Sequence, residues 1–166
     1  MDRNLIAEGE MLDDKIINAA QKLIKQKTGC AGLQDPVFGQ KSFNRNPMNV
    51  DSVQVVHTGA LHWVTVARVG NDVFIYDSLN SRKPAARTLE AINQLFGQIS
   101  YTLSRVQQQE GGVDCGLFAL AFCDYVAQGK ADNLPDAAFD QDLMRLHLVT
   151  CFESGIWESF PLVGDV

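Results

Sequence analysis

With 166 residues, 46% of them hydrophobic, the chain is long enough to bury a core as a single domain spanning residues 1–166, and its mixed composition excludes disordered and fibrous classes. The formal net charge is −6, with no basic cluster beyond Arg82-Lys83, which argues against nucleic acid as a partner and permits a basic protein surface. No apolar run reaches the length of a membrane span and the first residues lack the apolar centre of a signal peptide, so an intracellular protein, cytoplasmic or nuclear and not membrane-bound, is expected.

The first element begins at Asp13. Ile16, Ala20, Leu23 and Ile24 share one helical face, acid stands at its start, lysines toward its end, and Gly29 lies just beyond. Cys30 to Asn49, punctuated by Pro36, Gly39 and Pro47, reads as an irregular connection with at most a short strand or helical turn around Val37 to Phe43. Ser52 to His57 and His62 to Val69 read as strands around the turn Thr58-Gly59-Ala60. Gly70-Asn71-Asp72 then turns the chain into a third strand, Val73 to Tyr76, ending at Asp77-Ser78. Ser81 to Arg87 is a polar turn. Leu89, Ile92, Leu95 and Phe96 then make a helical face closed by Gly97, and Ile99, Tyr101 and Leu103 alternate as a strand does. A helix follows from Cys115, a loop covers Gly129 to Ala138, a last helix runs from Asp140 to Cys151, and Trp157 to Pro161 is a short tail. This order predicts an α+β fold with a small, mostly antiparallel sheet flanked by helices.

The chemistry concentrates between Gln107 and Phe118. Gly111 and Gly112 loosen the backbone, Asp114 is placed to cap a helix, and the apolar helical run after it puts Cys115 in the first turn. Unpaired N–H groups and the helix dipole favour a thiolate there. The four cysteines, Cys30, Cys115, Cys123 and Cys151, form no C-x-x-C pair and no Cys/His set at ligand spacing, so neither metal, cofactor nor disulfide framework is expected. A cysteine nucleophile needs a base, and the base needs an orienting group. Of the three histidines, His147 sits among apolar residues of the last helix and reads as structural, while His57 and His62 flank a turn. A hairpin turning at Gly70 to Asp72 carries the start of its first strand back beside the end of its second, bringing His62 near Asp77. Taken alone, Asp77 is equally a strand-ending acid that caps a turn.

His62-Trp63, Tyr76-Asp77-Ser78 and Gln109-Glu110-Gly111-Gly112-Val113-Asp114-Cys115-Gly116-Leu117-Phe118, in that order, resemble the blocks of the ubiquitin-like-protein proteases, the SUMO-protease family related to the adenovirus proteinase. Met11-Leu12-Asp13-Asp14-Lys15-Ile16-Ile17-Asn18 is similar to the family's first helix opening, and Phe139 to Cys151 to its closing helix. The resemblance implies a papain-like fold of the SUMO-protease type. It implies Cys115 as nucleophile, His62 as base and then acid, Asp77 as orienter and Gln109 as oxyanion donor. It also implies that Trp63 covers a narrow tunnel for a Gly-Gly tail, that Asp14 meets an arginine of the modifier, and that Met11 and Gly112 complete the substrate-binding set. Met11 stands where the family has a second tunnel tryptophan, which softens one wall. The expectation is a monomeric cysteine protease, without cofactor, that cuts peptide or isopeptide bonds after the terminal glycine of a ubiquitin-like modifier. SUMO is the first substrate to consider and ubiquitin the second. An acetyltransferase built on the same triad and a non-catalytic binding module are the alternatives.

Overall fold

A computed structural model describes residues 6–37, 41–79, 83–97 and 100–164. The expected first helix, α1, is Asp14–Thr28: Asp13 caps it by accepting the Ile16 N–H, and Gly29 ends it in the left-handed region at φ 68°. The strands are β1 (Ala31–Gly32), β2 (Ser52–His57), β3 (Trp63–Val69), β4 (Asp72–Tyr76) and β5 (Thr102–Ser104), in spatial order β1-β2-β3-β4-β5. Helix α2 is Ala86–Phe96, α3 is Cys115–Ala127 and α4 is Gln141–Ser154.

The centre of the sheet, β2-β3-β4, is antiparallel, and β1 and β5 add to it in parallel at the edges. Strand period places two cores on its two faces. Val53, Val55, Trp63, Ala67 and Tyr76 face α1 and α3, while Val56, Val64, Val66, Val73 and Ile75 face α2 with Ile92, Leu95 and Phe96. Helix α3 is apolar on all sides and buried from Cys115 to Val126, so it runs through the protein's interior. It meets α1 where Gly116 leaves room: a Cβ there would lie 3.1 Å from Leu12 Cβ and 3.3 Å from Ile17 Cδ1. It meets β3 where Thr65 Oγ1 donates to the Ala119 carbonyl at 2.6 Å.

Four readings from the sequence need correction. The connection after α1 holds a strand at Ala31–Gly32, ahead of the stretch from Val37 to Phe43, of which residues 38–40 lie outside the described residues. Residues Ala131–Asp136, read as loop, form a 3-10 helix around buried Leu134. The last helix continues past Cys151 to Ser154. Trp157 and Phe160, read as tail, are among the most buried side chains, at 1% and 2% exposure, and Trp157 Nε1 donates to the buried Asp124 Oδ1 at 2.8 Å. Of the alternating residues before the Cys115 loop, Ile99 lies outside the described residues, as do Ser81 and Arg82 of the polar turn. Among the described residues, no helix is long and apolar enough to cross a membrane.

Trp157→Ala would open a large hole beneath α3 and strip a partner from buried Asp124. It is expected to destabilise the fold by about 3–5 kcal/mol in urea denaturation. A loss within the range of an ordinary surface substitution would place the tail outside the cooperative core.

Candidate active site

The register of the β3–β4 hairpin fixes the first two site residues. Thr65 pairs with Tyr76 and Val66 with Ile75, so His62 and Asp77, each just beyond its ladder, stand diagonally on the sheet face that carries Val64 and Ile75. Their side chains meet, His62 Nε2 to Asp77 Oδ1 at 2.7 Å, and both are buried to about the same degree. Asp77 Oδ1 also accepts the Leu79 N–H at 2.9 Å, which holds the carboxylate against the strand end. With Nε2 committed, the ring nitrogen left for another partner is Nδ1, which is buried and closes no hydrogen bond of its own. The Cys115 side chain acts on this same ring and favours its protonated form. Burial pulls the His62 pKa down, but Asp77 and then Cys115 outweigh it, and the pKa rises from 6.5 to about 9.

Cys115 is the first residue of α3, as expected, and is fully buried. Asp114 occupies the N-cap position but its side chain makes no cap bond. Its carboxylate is held instead by α4: Arg145 Nη2 donates to Oδ1 at 2.6 Å and Gln141 Nε2 to Oδ2 at 2.8 Å. Arg145 also donates to the carbonyls of Ile6 at 2.8 Å and Val113 at 3.4 Å, while Gln141 exchanges two bonds with the Glu110 backbone. The loop before Cys115 is therefore bolted to α4 by two side chains that sequence reasoning passed over. Their helical spacing carries no local sign of the role.

Gln109 is buried beside this loop. Its backbone N–H donates to the Ser78 carbonyl at 2.9 Å and its side-chain Nε2 to the Gly111 carbonyl at 3.1 Å. Gly111 takes the positive φ in the turn, at 74°, while Gly112 is exposed with open space around it.

Three of the four residues expected to bind substrate gather on another side of His62, Gly112 standing apart in the Cys115 loop. Met11, Asp14 and Trp63 line a cavity of about 340 Å³ together with His57, Leu61 and Arg87. Trp63 itself is 4% exposed, donates Nε1–H to the Leu12 carbonyl at 2.9 Å, and packs edge-on against His57. Only part of its ring surface faces the cavity, so it acts as wall and core at once. Leu61, immediately before His62, is exposed and holds a left-handed backbone at φ 55°. A second cavity of about 310 Å³ has His62 and Asp77 in its wall. Cys115 lines neither cavity.

The other thiols and imidazoles are differently placed. Burial pushes Cys30, Cys123 and Cys151 up from the ordinary thiol value, which makes each a poor nucleophile. Cys151 lies 3.6 Å from His147 Nε2, but that nitrogen donates to the Glu158 carbonyl at 2.8 Å, and the pair serves to anchor the C-terminal segment. His57 Nδ1 accepts the Gly59 N–H at 3.1 Å within its turn. Among the described residues there is no group of three or more His, Cys, Asp or Glu that could hold a metal.

Comparison with known proteins was made on sequence and on fold. The sequence profile of the Ulp1 protease family, C-terminal catalytic domain, matches residues 34–148. A search of curated protein sequences finds no match. Among solved structures, the SUMO protease Ulp1 with its catalytic cysteine oxidised to a sulfinic acid superposes with TM-score 0.69 at 17% identity, covering 93% of this chain and 82% of that one. The C-terminal Ulp1 protease domain in complex with Smt3, the yeast ortholog of SUMO, gives TM-score 0.65 at 16% identity, covering 92% and 81%. The Xanthomonas campestris effector protein XopD bound to ubiquitin gives 0.60 at 17%, covering 85% and 91%. These likenesses establish the α+β fold, a five-stranded mixed sheet flanked by helices.

Because the folded His62 pKa lies above its unfolded value, its contribution to stability is full below pH 6.5 and fades as pH rises through about 9. An NMR titration of the His62 ring should show a midpoint near 9. Asp77→Ala removes the hydrogen bond and the negative charge beside the ring and leaves burial in place, so the midpoint should fall toward or below the ordinary imidazole value of about 6.5. A midpoint that stays near 9 in Asp77→Ala would show that Asp77 does not control this ring.

Proposed function

Because the chain belongs to the Ulp1 protease family and is thus a cysteine peptidase, we propose that it cleaves the bond following the C-terminal glycine of a ubiquitin-like modifier, using Cys115, His62, Asp77 and Gln109. The observation that carries this reading is the 2.7 Å contact between His62 and Asp77, which leaves the second ring nitrogen to a cysteine at the start of α3.

In the proposed cycle, Cys115 passes its proton to His62 and its sulfur attacks the glycine carbonyl. The carbonyl oxygen takes up the displaced electron pair, and Gln109 donates an N–H to it. As the carbon–nitrogen bond breaks, His62 gives its proton to the leaving amine, Asp77 having held the ring in the required tautomer and stabilised its positive form. Water, deprotonated by His62, then attacks the thioester, releasing the glycine carboxylate and restoring the thiol. An ion pair of sulfur and imidazolium is lost when the ring deprotonates, so the raised His62 pKa of about 9 predicts an alkaline limb in kcat/KM near that pH.

SUMO is the first modifier proposed and ubiquitin the second, on the strength of the similar folds solved with Smt3 and with ubiquitin. The cavity beside Trp63 and Met11 is the proposed seat of the modifier's tail, with Asp14 facing a basic residue of the modifier. Cys115 is sealed in the resting protein, and entry of the tail is proposed to open its path.

A panel of modifiers ending in a propargyl group, each incubated with the protein, tests the reading by intact-mass measurement. A covalent adduct at Cys115 with SUMO or ubiquitin is expected, and none with Cys115→Ala. That variant should lose turnover and keep the parent melting temperature. Turnover by Cys115→Ala would remove the mechanism, and labelling by neither modifier would remove the substrate assignment. Transfer of an acetyl group from acetyl-CoA to an acceptor protein would instead identify an acetyltransferase.

A further inference from the structure

The residue after the orienting aspartate touches no reacting atom, yet it is 2% exposed and spends its hydroxyl on Gln109. Ser78 Oγ lies 2.5 Å from Gln109 Oε1, and the Ser78 carbonyl accepts the Gln109 backbone N–H at 2.9 Å. Gln109 is thus gripped at both its main chain and its side chain by one residue across the gap between two segments.

The direction of the side-chain bond decides what the grip does. A primary amide can sit either way round, and only one way presents N–H groups to an oxyanion. The Gly111 carbonyl, 3.1 Å from the Gln109 side chain, can only accept, so the nitrogen end must face it. That leaves the oxygen end toward Ser78, whose hydroxyl must then be the donor. Gly111 occupies one of the two N–H groups of the amide, and the second is left for the reaction. Without the Ser78 donor, a buried Oε1 would lose its partner and the Gly111 carbonyl alone would hold the amide against turning its oxygen toward the developing negative charge.

We infer that Ser78 is a positioning residue: its hydroxyl fixes the orientation of the Gln109 amide so that an N–H, and not the carbonyl oxygen, meets the oxyanion. This rests on the reading of Gln109 as the oxyanion donor. It ties that donor to the orienting carboxylate through adjacent residues of one strand end, since Asp77 holds His62 and Ser78 holds Gln109.

Steady-state kinetics on SUMO or ubiquitin bearing a C-terminal aminomethylcoumarin, combined with NMR of the Gln109 side-chain amide in the resting protein, tests the inference. Ser78→Ala should lower kcat about tenfold with KM little changed, leave the alkaline limb of the pH profile in place, and speed exchange of the Gln109 amide protons. Gln109→Ala should lower kcat by roughly 100- to 1000-fold, and adding Ser78→Ala to it should cost nothing further. Ser78→Thr, which keeps the hydroxyl, should recover most of the lost rate. The inference is overturned if Ser78→Ala keeps full kcat, if it lowers kcat by the same factor in the Gln109→Ala background, or if amide exchange is unaltered. Full kcat in Gln109→Ala would instead remove the oxyanion role itself, while the amide exchange would still report whether Ser78 holds the side chain.

Discussion

The contact between His62 and Asp77 exists because two strands pair in one register. Thr65 opposite Tyr76 sets which residues lie beyond the ladder and on which face, and a slip of one residue would carry one member of the pair to the opposite side of the sheet. That register is held by packing far from the polar pair: Val64, Val66, Val73 and Ile75 are sealed against α2 on the same face. Hydrophobic burial thus does the geometric work on which an electrostatic effect depends. The raised pKa of the imidazole depends first on the carboxylate delivered to within hydrogen-bonding distance.

Cys115 is brought to this pair by a different route. Thr65, near the start of β3, bonds to Ala119, one turn into α3, and Leu12 and Ile17 of the α1 segment approach closely at Gly116. Three elements distant in sequence therefore converge on the first turn of one helix. The sulfur there is shut away from solvent, while cavities open on either side of the histidine-bearing loop.

Much of this was legible in the order of residues, and the reason is local physics. The boundaries of β2, β3 and β4, the caps of α1 at Asp13 and Gly29, the end of α2 at Gly97 and the place of Cys115 at a helix start all follow from short-range periodicity and turn chemistry. The meeting of His62 with Asp77 could be read too, since a hairpin makes a long-range contact predictable from a short-range turn. What escaped were features decided by partners remote in sequence. The two residues of β1 are a strand only because β2 is beside them, and Trp157 and Phe160 are core only because α3 and α4 leave a space they fill. Asp114 looked like a helix cap because local rules reward that role, but Arg145 and Gln141 outbid the backbone for its carboxylate.

Arg145 joins the carbonyl of Ile6, the carbonyl of Val113 and the carboxylate of Asp114 within one guanidinium. Ile6, fully buried in the core that also holds α1 and α3, and the segment preceding Cys115 hence share a fastening. A change at Arg145 would accordingly reach two places at once, the packed Ile6 segment and the loop that ends at the thiol, without touching His62, Asp77 or Gln109.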